Sequence, residues 1–246
     1  MARLHCPEIP FGQDNIVINQ SKQIHYLRDV LRLKVNDDVF VFDGQGNEYH
    51  CQILAMAPRK VTLQKRQKAA TRVARRLSLA IACALPRQKS RFDDLVDKLS
   101  QLGVARIIPM VTERVVVRWD SRSKERHHQR WCEIAKQACM QSGRNNLPVI
   151  EPVKEMGEVL TDAVNCELKL IPTLAEKKKN LRDLFCDSLP GSALVLIGPE
   201  GDFSPRELRD ARKAGFVPVF LGELVLRVDT AAIAVAAFFS LNPPAD

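Results

Sequence analysis

Leu196-Ile-Gly-Pro-Glu-Gly-Asp-Phe-Ser-Pro205 joins the end of an apolar run to the start of a helix through a glycine-proline turn. Leu194–Ile197 reads as a buried strand, and Ser204-Pro-Arg-Glu207 is a capping box with proline at the first helical position. The next apolar run, Val217–Leu221, leads into a second phrase, Leu221-Gly-Glu-Leu-Val-Leu-Arg-Val-Asp-Thr230. This phrase ends at a nearly all-apolar helix, Thr230–Leu241, with Asp229 or Thr230 as its expected cap. Both phrases therefore follow strands and precede helices, which puts them at the C-terminal ends of neighbouring strands, where open α/β sheets bind ligands.

Working outward from these loops, strands and helices alternate from Leu77 onward. The spacing predicts strand Leu77–Leu85, helix Phe92–Leu102, strand Arg106–Met110, helix Lys124–Gln141, strand Glu167–Ile171, helix Pro205–Ala214 and the segments named above. Such alternation makes an α/β fold with a largely parallel sheet and helices on both faces. Phe92, Leu95, Val96, Leu99 and Leu102 share one helical face that Gly103 is placed to end. Trp131, Ile134, Ala135, Ala138 and Cys139 do the same before Gly143, so Trp131 is expected in the core.

Residues 1–70 read differently, as short strands near Ile16–Asn19, Val39–Asp43, Glu48–Leu54 and Val61–Lys65 with a turn at Asp43-Gly-Gln-Gly46. One helix capped by Ser21 interrupts them, with Ile24, Leu27 and Leu31 inward, and Arg28, Arg32 and Lys34 outside. Closure into a small barrel hides the strand edges. The basic stretch Lys65–Arg76 is the expected linker, giving a first domain over 1–70 and a second over 73–246.

The formal net charge is +8, unevenly spread: +3 over residues 1–71, +9 over 72–144 and −4 over 145–246. A basic middle suits a polyanion, and Arg28, Arg32, Arg114, Arg122, Arg126 and Arg130 are candidates for RNA contact. His127 and His128 belong to the same basic helix start, and His25 is expected to pack within the small domain. Seven cysteines, at 6, 51, 83, 132, 139, 166 and 186, include no Cys-x-x-Cys pair, so neither zinc nor disulfides are indicated and a reducing, cytoplasmic setting is expected. The longest nearly apolar stretch, Ala231–Leu241, falls far short of the roughly 20 residues that span a bilayer, so no membrane partner is expected.

Gly198-Pro-Glu-Gly201 is a stiff turn that presents backbone to a ligand; alone it fits any tight strand-to-helix connection. Neither a P-loop nor a dinucleotide-binding glycine pattern is present, which disfavours phosphate cradling. With Leu221-Gly222 and Val225-Leu226-Arg227 beside it, the pair of loops makes a mostly apolar slot for a flat ligand held through main-chain groups.

The two phrases, separated by one helix and one strand, resemble those of the SPOUT methyltransferases, and most closely the RsmE group that methylates N3 of a uridine in 16S ribosomal RNA. Phe42-Asp-Gly44, His25 with Val30-Leu-Arg32, Lys98-Leu-Ser-Gln-Leu-Gly103, Thr112-Glu-Arg114 and Gln141-Ser-Gly-Arg144 extend the resemblance over nearly the whole chain. The resemblance implies a PUA-like RNA-binding barrel, a C-terminal domain with a trefoil knot, S-adenosyl-L-methionine as cofactor, a homodimer, no metal, and 16S rRNA or the small ribosomal subunit as partner. It places the cofactor against Thr173, Ile197, Gly198, Pro199, Glu200, Gly201, Leu221, Gly222, Val225, Leu226 and Arg227. The chain departs from the family pattern at Glu223-Leu224 for Pro-Arg, Asp202 for glycine, Asp229 for glutamate, and Gln101 and Met140 for glutamates.

Methylating uracil N3 requires loss of its proton, hence a base or a cation that stabilises the developing anion. Arg227 is the candidate cation, Glu200 a candidate base, and Arg144 a candidate for holding the uridine phosphate or reaching a partner subunit's site. The residues themselves leave a second reading open, a non-catalytic rRNA-binding assembly factor of the same fold.

Overall fold

The computed structural model describes residues 2–10, 13–69, 77–86, 88–114, 120–174, 179–181 and 190–242. Residues 70–76 of the expected linker and Cys186 lie outside these residues. The chain forms two compact units, one of Met1–Val73 with Cys139–Leu147, the other of Ala74–Ala138 with Pro148–Asp246.

The first unit is one five-stranded sheet in the order β1-β3-β4-β5-β2. It comprises β1 (Arg3–His5), β2 (Asn15–Ile18), β3 (Asp38–Phe42), β4 (Glu48–Ala57) and β5 (Lys60–Lys68). Strands β1 and β3 run parallel and the other neighbours antiparallel. The period of two is visible in burial: Ile16 and Ile18, Cys51 and Ile53, Val61 and Leu63 all face one core. Register shifts at His50/Cys51 and Ile53/Ala55 bend β4, which curls the sheet around that core, and its ladder path ends at β1 and β2.

Helix α1 (Ser21–His25) continues as a π-helical turn over Tyr26–Val30. Its N-cap is Gln20, without a side-chain cap, so Ser21 is the first helical residue and not the expected cap. Ile24 and Leu27 are buried, whereas Arg28, Arg32 and Lys34 are exposed, as expected. His25 is exposed too, paired at 2.7 Å with Asp29 one turn on, so it does not pack inside as expected.

Residues 139–147 join this unit because the chain turns sharply after α3 (Ser121–Ser142). Gly143, at φ +81°, ends the helix, and Arg144 N–H closes onto Cys139 O at 3.1 Å. The following residues meet the Asp43–Gly46 turn: Leu147 N–H donates to Gly44 O (2.9 Å) and Asn145 Nδ2 to Gly46 O (3.1 Å). Arg3 Nη2 donates to Arg144 O (3.3 Å), while Phe42, Cys139 and Met140 form a small apolar cluster. Two separated stretches of the family resemblance, Phe42–Gly44 and Gln141–Arg144, are thus neighbours in one unit.

The second unit is an eight-stranded sheet in the order β11-β13-β10-β12-β6-β7-β8, with β9 also on β7; every pairing is parallel. Its strands are β6 (Ser78–Ala84), β7 (Arg106–Val111), β8 (Val149–Ile150), β9 (Lys154–Glu155), β10 (Leu168–Pro172), β11 (Lys179–Asn180), β12 (Ser192–Ile197) and β13 (Val217–Phe220). The sheet is covered by α2 (Lys89–Gln101), α4 (Met156–Asp162), α5 (Pro205–Lys213) and α6 (Val228–Leu241) besides α3. One core joins β6, β10 and β12 to α2, α3 and α6, with Trp131 fully buried against Phe92 and its Nε1 donating to Asp93 Oδ1 at 3.0 Å. The opposite face of the strands packs on α4 and α5 through Ile108, Ile171, Leu196, Phe203 and Ala211.

Strands β8 and β9 are two short pieces along β7, interrupted at Glu151–Val153. In that interruption Glu151 is buried and accepts from Arg106 and Lys154, and Lys154 also reaches Asp162 at 2.6 Å. Burial pushes the Glu151 carboxyl up, but the hydrogen bonds from Lys154 and Arg106 outweigh it and hold the group below its ordinary range.

Candidate active site

Strands β10 and β12 pair in register from Leu168↔Ala193 to Leu170↔Val195 and then part company. Beyond that point β10 follows β13, with Pro172 opposite Val219, while β12 follows β6 to Ile197 opposite Cys83. The divergence leaves an opening between two strand ends, and the loops after β10, β12 and β13 wall it in. The result is an open cleft of about 590 Å³, solvent at its mouth included.

Of the residues expected to meet a ligand, Thr173, Ile197, Gly198, Pro199, Glu200, Leu221, Gly222, Val225 and Leu226 line this cleft. Gly201 lies just beyond the wall. Arg227 is exposed and takes the N-cap position of α6, which therefore starts at Val228 and is capped by neither Asp229 nor Thr230. Leu174, Asp202, Leu224, Val228 and Ala231 line it as well and were not among the expected residues. Leu224 and Val225 are 79% and 68% exposed, and Leu174 is 54% exposed, so three large apolar side chains face solvent around one opening. The signal for Val228 and Ala231 was present in the sequence: they are the first apolar positions of α6.

The glycine-proline turn owes its shape to packing rather than to unusual dihedrals at its glycines. A Cβ built on Gly198 lies 2.8 Å from Phe203 Cε2 and 2.9 Å from Cδ2, so the buried Phe203 ring fills the space a side chain needs. The left-handed residue is Asp202, at φ +60°, where glycine stands in the resembling family. Asp202 N–H closes the turn onto Pro199 O at 2.9 Å. Its Oδ2 accepts from Thr173 Oγ1 (2.9 Å) and from Leu174 N–H (3.0 Å), and its Oδ1 from Phe203 N–H (2.8 Å). One carboxylate thus ties the loop after β10 to the loop after β12.

Helix α5 fixes the far end of the turn. Ser204 Oγ accepts from Glu207 N–H at 3.2 Å and Glu207 Oε2 accepts from Ser204 N–H at 2.8 Å, completing the expected capping box. The other Glu207 oxygen accepts from Glu113 N–H at 2.9 Å. Arg114 next to it donates to Gly201 O, and to Asp202 O at 3.3 Å. Expected on an RNA surface, Arg114 has its guanidinium engaged with the glycine-proline turn.

Glu200 is exposed on the cleft wall and makes no hydrogen bond or ion pair among the described residues. Arg144 belongs to the first unit, and its side chain is half-buried. Arg122 and Arg126 stand at the start of α3, Arg126 reaching Ser123 Oγ at 3.5 Å, whereas Arg130 is paired with Asp93 at 2.8 Å. His128, expected exposed or on RNA, is half-buried with a ring nitrogen 2.8 Å from Ile150 O. Among the described residues no group of three or more His, Cys, Asp or Glu is placed to hold a metal ion, the cysteines are free, and no helix is long and apolar enough to cross a membrane.

Compared with known families, residues 74–240 match the RNA methyltransferase domain and residues 18–65 match the RNA methyltransferase PUA domain. The chain belongs to the RNA methyltransferase family. Among its relatives is the ribosomal RNA small subunit methyltransferase E of Synechocystis, 28% identical over 85% of this chain and 67% of that protein. The fold agrees with that of the ribosomal RNA small subunit methyltransferase E from Neisseria gonorrhoeae bound to S-adenosyl methionine, at TM-score 0.87 and 27% identity over 98% of this chain and 97% of that one. It agrees equally with a Legionella pneumophila methyltransferase, described as putative and in complex with bound cofactor, at TM-score 0.85 and 28% identity over 97% and 96%. Within the family match, the cleft is the region where β10, β12 and β13 end.

Proposed function

We propose that the protein transfers the methyl group of S-adenosyl-L-methionine to N3 of a uridine in 16S rRNA of the small ribosomal subunit, in the cytoplasm and without a metal ion. One observation carries this reading: in a chain of the RNA methyltransferase family, three loops from adjacent parallel strands converge on a mostly apolar cleft with two carboxylates in its wall. The residues fit the cofactor. Apolar walls at Ile197, Leu226 and Ala231 suit an adenine ring, and Gly222 lines the cleft at φ +137° with no atom within 4 Å of an added Cβ. Glu200 and Asp202 suit a molecule that carries positive charge at its sulfonium and amino groups.

When bound, the cofactor supplies an electrophilic methyl group, and the chain's task is to position a nucleophile in line with it and to manage one proton. Arg227, exposed between the wall residues Leu226 and Val228, stabilises the charge that develops on the uracil carbonyl oxygens. Glu200 accepts the N3 proton, a role supported by its exposure on the cleft wall. Arg28, Arg32, Arg122 and Arg126, with Arg130 through its outer face, hold RNA phosphates, and Arg144 holds the uridine's own phosphate or serves a partner subunit.

A homodimer and the C-terminal trefoil knot of the SPOUT fold belong to the same proposal, as do domain limits at residues 1–70 and 73–246. In support of the dimer, α6 buries Ala232, Val235 and Ala236 yet leaves Ala234 and Leu241 exposed, the latter at 78%, an apolar stripe that a second copy covers.

Calorimetric titration with S-adenosyl-L-methionine, followed by methylation of 30S subunits and mass-spectrometric mapping of the product, tests the reading. Saturable binding and one new methyluridine in 16S rRNA are expected. RNA binding without cofactor binding overturns it in favour of the assembly-factor reading.

A further inference from the structure

We infer that Asp202 is a positioning residue: its carboxylate is a clasp that holds the two walls of the cleft at the spacing the methyl donor needs. This rests on the reading of the cleft as the donor site and adds a residue and a role to it. Parallel strands normally hold one another through an even ladder of backbone hydrogen bonds. Between β10 and β12 that ladder ends at Leu170↔Val195, two residues before the cleft begins at Pro172 and Ile197. From there each strand follows a different neighbour, so backbone pairing no longer fixes the distance between their loops.

The side chain of Asp202 spans that gap. Thr173 Oγ1 and Leu174 N–H both donate to Oδ2, at 2.9 and 3.0 Å, and Phe203 N–H donates to Oδ1 at 2.8 Å. Three donors on one carboxylate are charge-assisted bonds, shorter and stronger than neutral ones. Bringing the carboxylate into line holds a non-glycine residue at φ +60°, a left-handed conformation that side-chain-bearing residues disfavour. The backbone on either side is held as well, by Asp202 N–H on Pro199 O and by Arg114 on the carbonyls of Gly201 and Asp202. A carboxylate anchored on one wall and bonded to the other transmits any displacement of β10's loop to the glycine-proline turn. Asparagine does not replace it: an amide has one acceptor oxygen, so one of the three N–H or O–H donors meets an NH₂ group.

The test is a set of four variants, Asp202→Gly, Thr173→Val, Thr173→Ser and the double Asp202→Gly/Thr173→Val, titrated with S-adenosyl-L-methionine, with hydrogen exchange read at the Leu174 amide. Glycine removes the clasp and the left-handed penalty together; the relief offsets only part of the three lost bonds, so the melting temperature of the ligand-free protein is expected to fall by a few degrees while the fold is kept. Expected are a Kd raised about tenfold or more by Asp202→Gly, severalfold by Thr173→Val and less than twofold by Thr173→Ser, with faster exchange at Leu174 in Asp202→Gly. The double variant loses less affinity than the two single losses multiplied together, because the two side chains share one hydrogen bond. Wild-type affinity in Asp202→Gly, or losses that multiply in the double variant, overturn the clasp while leaving the donor site standing. A wild-type protein that binds no S-adenosyl-L-methionine overturns the donor site and the clasp's role with it.

Discussion

Replacing Gly198 with alanine probes the turn at its tightest point. The added Cβ lies 2.8, 2.9 and 3.2 Å from three atoms of the Phe203 ring, where ordinary contact begins at 3.4 Å. The ring has to retreat by about 0.6 Å, or the turn has to rise by that amount; Phe203 is only 2% exposed, among Ile171, Leu196 and Ala211, so the ring has little room. Overpacking of this kind costs about 1–3 kcal/mol. For a protein of this size each kcal/mol corresponds to a fall in Tm of about 2–4 °C. The part of the strain relieved by lifting the turn moves Pro199 and Glu200 on the cleft wall, so the affinity for S-adenosyl-L-methionine is expected to fall about tenfold, close to 1.4 kcal/mol. Differential scanning calorimetry of the ligand-free protein and isothermal titration of the same sample measure the two effects. In a Phe203→Leu background, where the ring is trimmed, Gly198→Ala is expected to cost much less stability than it costs in the wild type. Wild-type Tm and wild-type affinity in Gly198→Ala, or the same cost in both backgrounds, refute the packing explanation of this glycine.

Two further outcomes follow from the charges. Replacing Arg122, Arg126 and Arg130 together by alanine is expected to weaken RNA binding and to flatten the plot of log K against log salt by about 0.7 for each phosphate no longer neutralised; Arg130, paired with Asp93, contributes least, and an unchanged slope rejects α3 as the RNA surface. Glu151→Gln is expected to lower stability at pH 7 by about 1–2 kcal/mol. Because the folded pKa of Glu151 is depressed, its stabilisation is fully present above the unfolded carboxylate pKa and is lost as pH falls through the folded value, so thermal melts of wild type and variant are expected to converge towards pH 3. A gap that stays constant from pH 7 to pH 3 assigns the effect to packing instead.

Both ligand loops were legible along the chain because each carries its own local chemistry. The Ser204/Glu207 capping box fixes the start of α5 within one residue, and the apolar run before it leaves the turn nowhere but at a strand end. The same local logic found Trp131 in the core and the ends of α2 and α3 at Gly103 and Gly143, both at positive φ. It failed where a side chain had several partners within reach. The local pattern points His25 to the core, whereas Asp29, four residues on, holds it outside; it points to an aspartate or threonine cap for α6, whereas Arg227 takes that position by backbone geometry alone. The two-residue strands β8 and β9 escaped notice because so short a run carries no period.

What the sequence by itself determined is therefore the alternation of strands and helices, the two loops that wall the cleft, and the apolar residues they bring to it. All of these are set by interactions among residues a few positions apart. Only the tertiary structure decided that β10 and β12 part to open the cleft, that Asp202 bonds across it to Thr173, that Arg114 holds the turn at Gly201, and that the residues after α3 join the Asp43–Gly46 turn. Those pairs are separated by 29 residues in one case and 87 in another, and what brings them together is the order of strands in the sheet. Strand order is a property of how whole layers pack, and no periodicity along the chain encodes it.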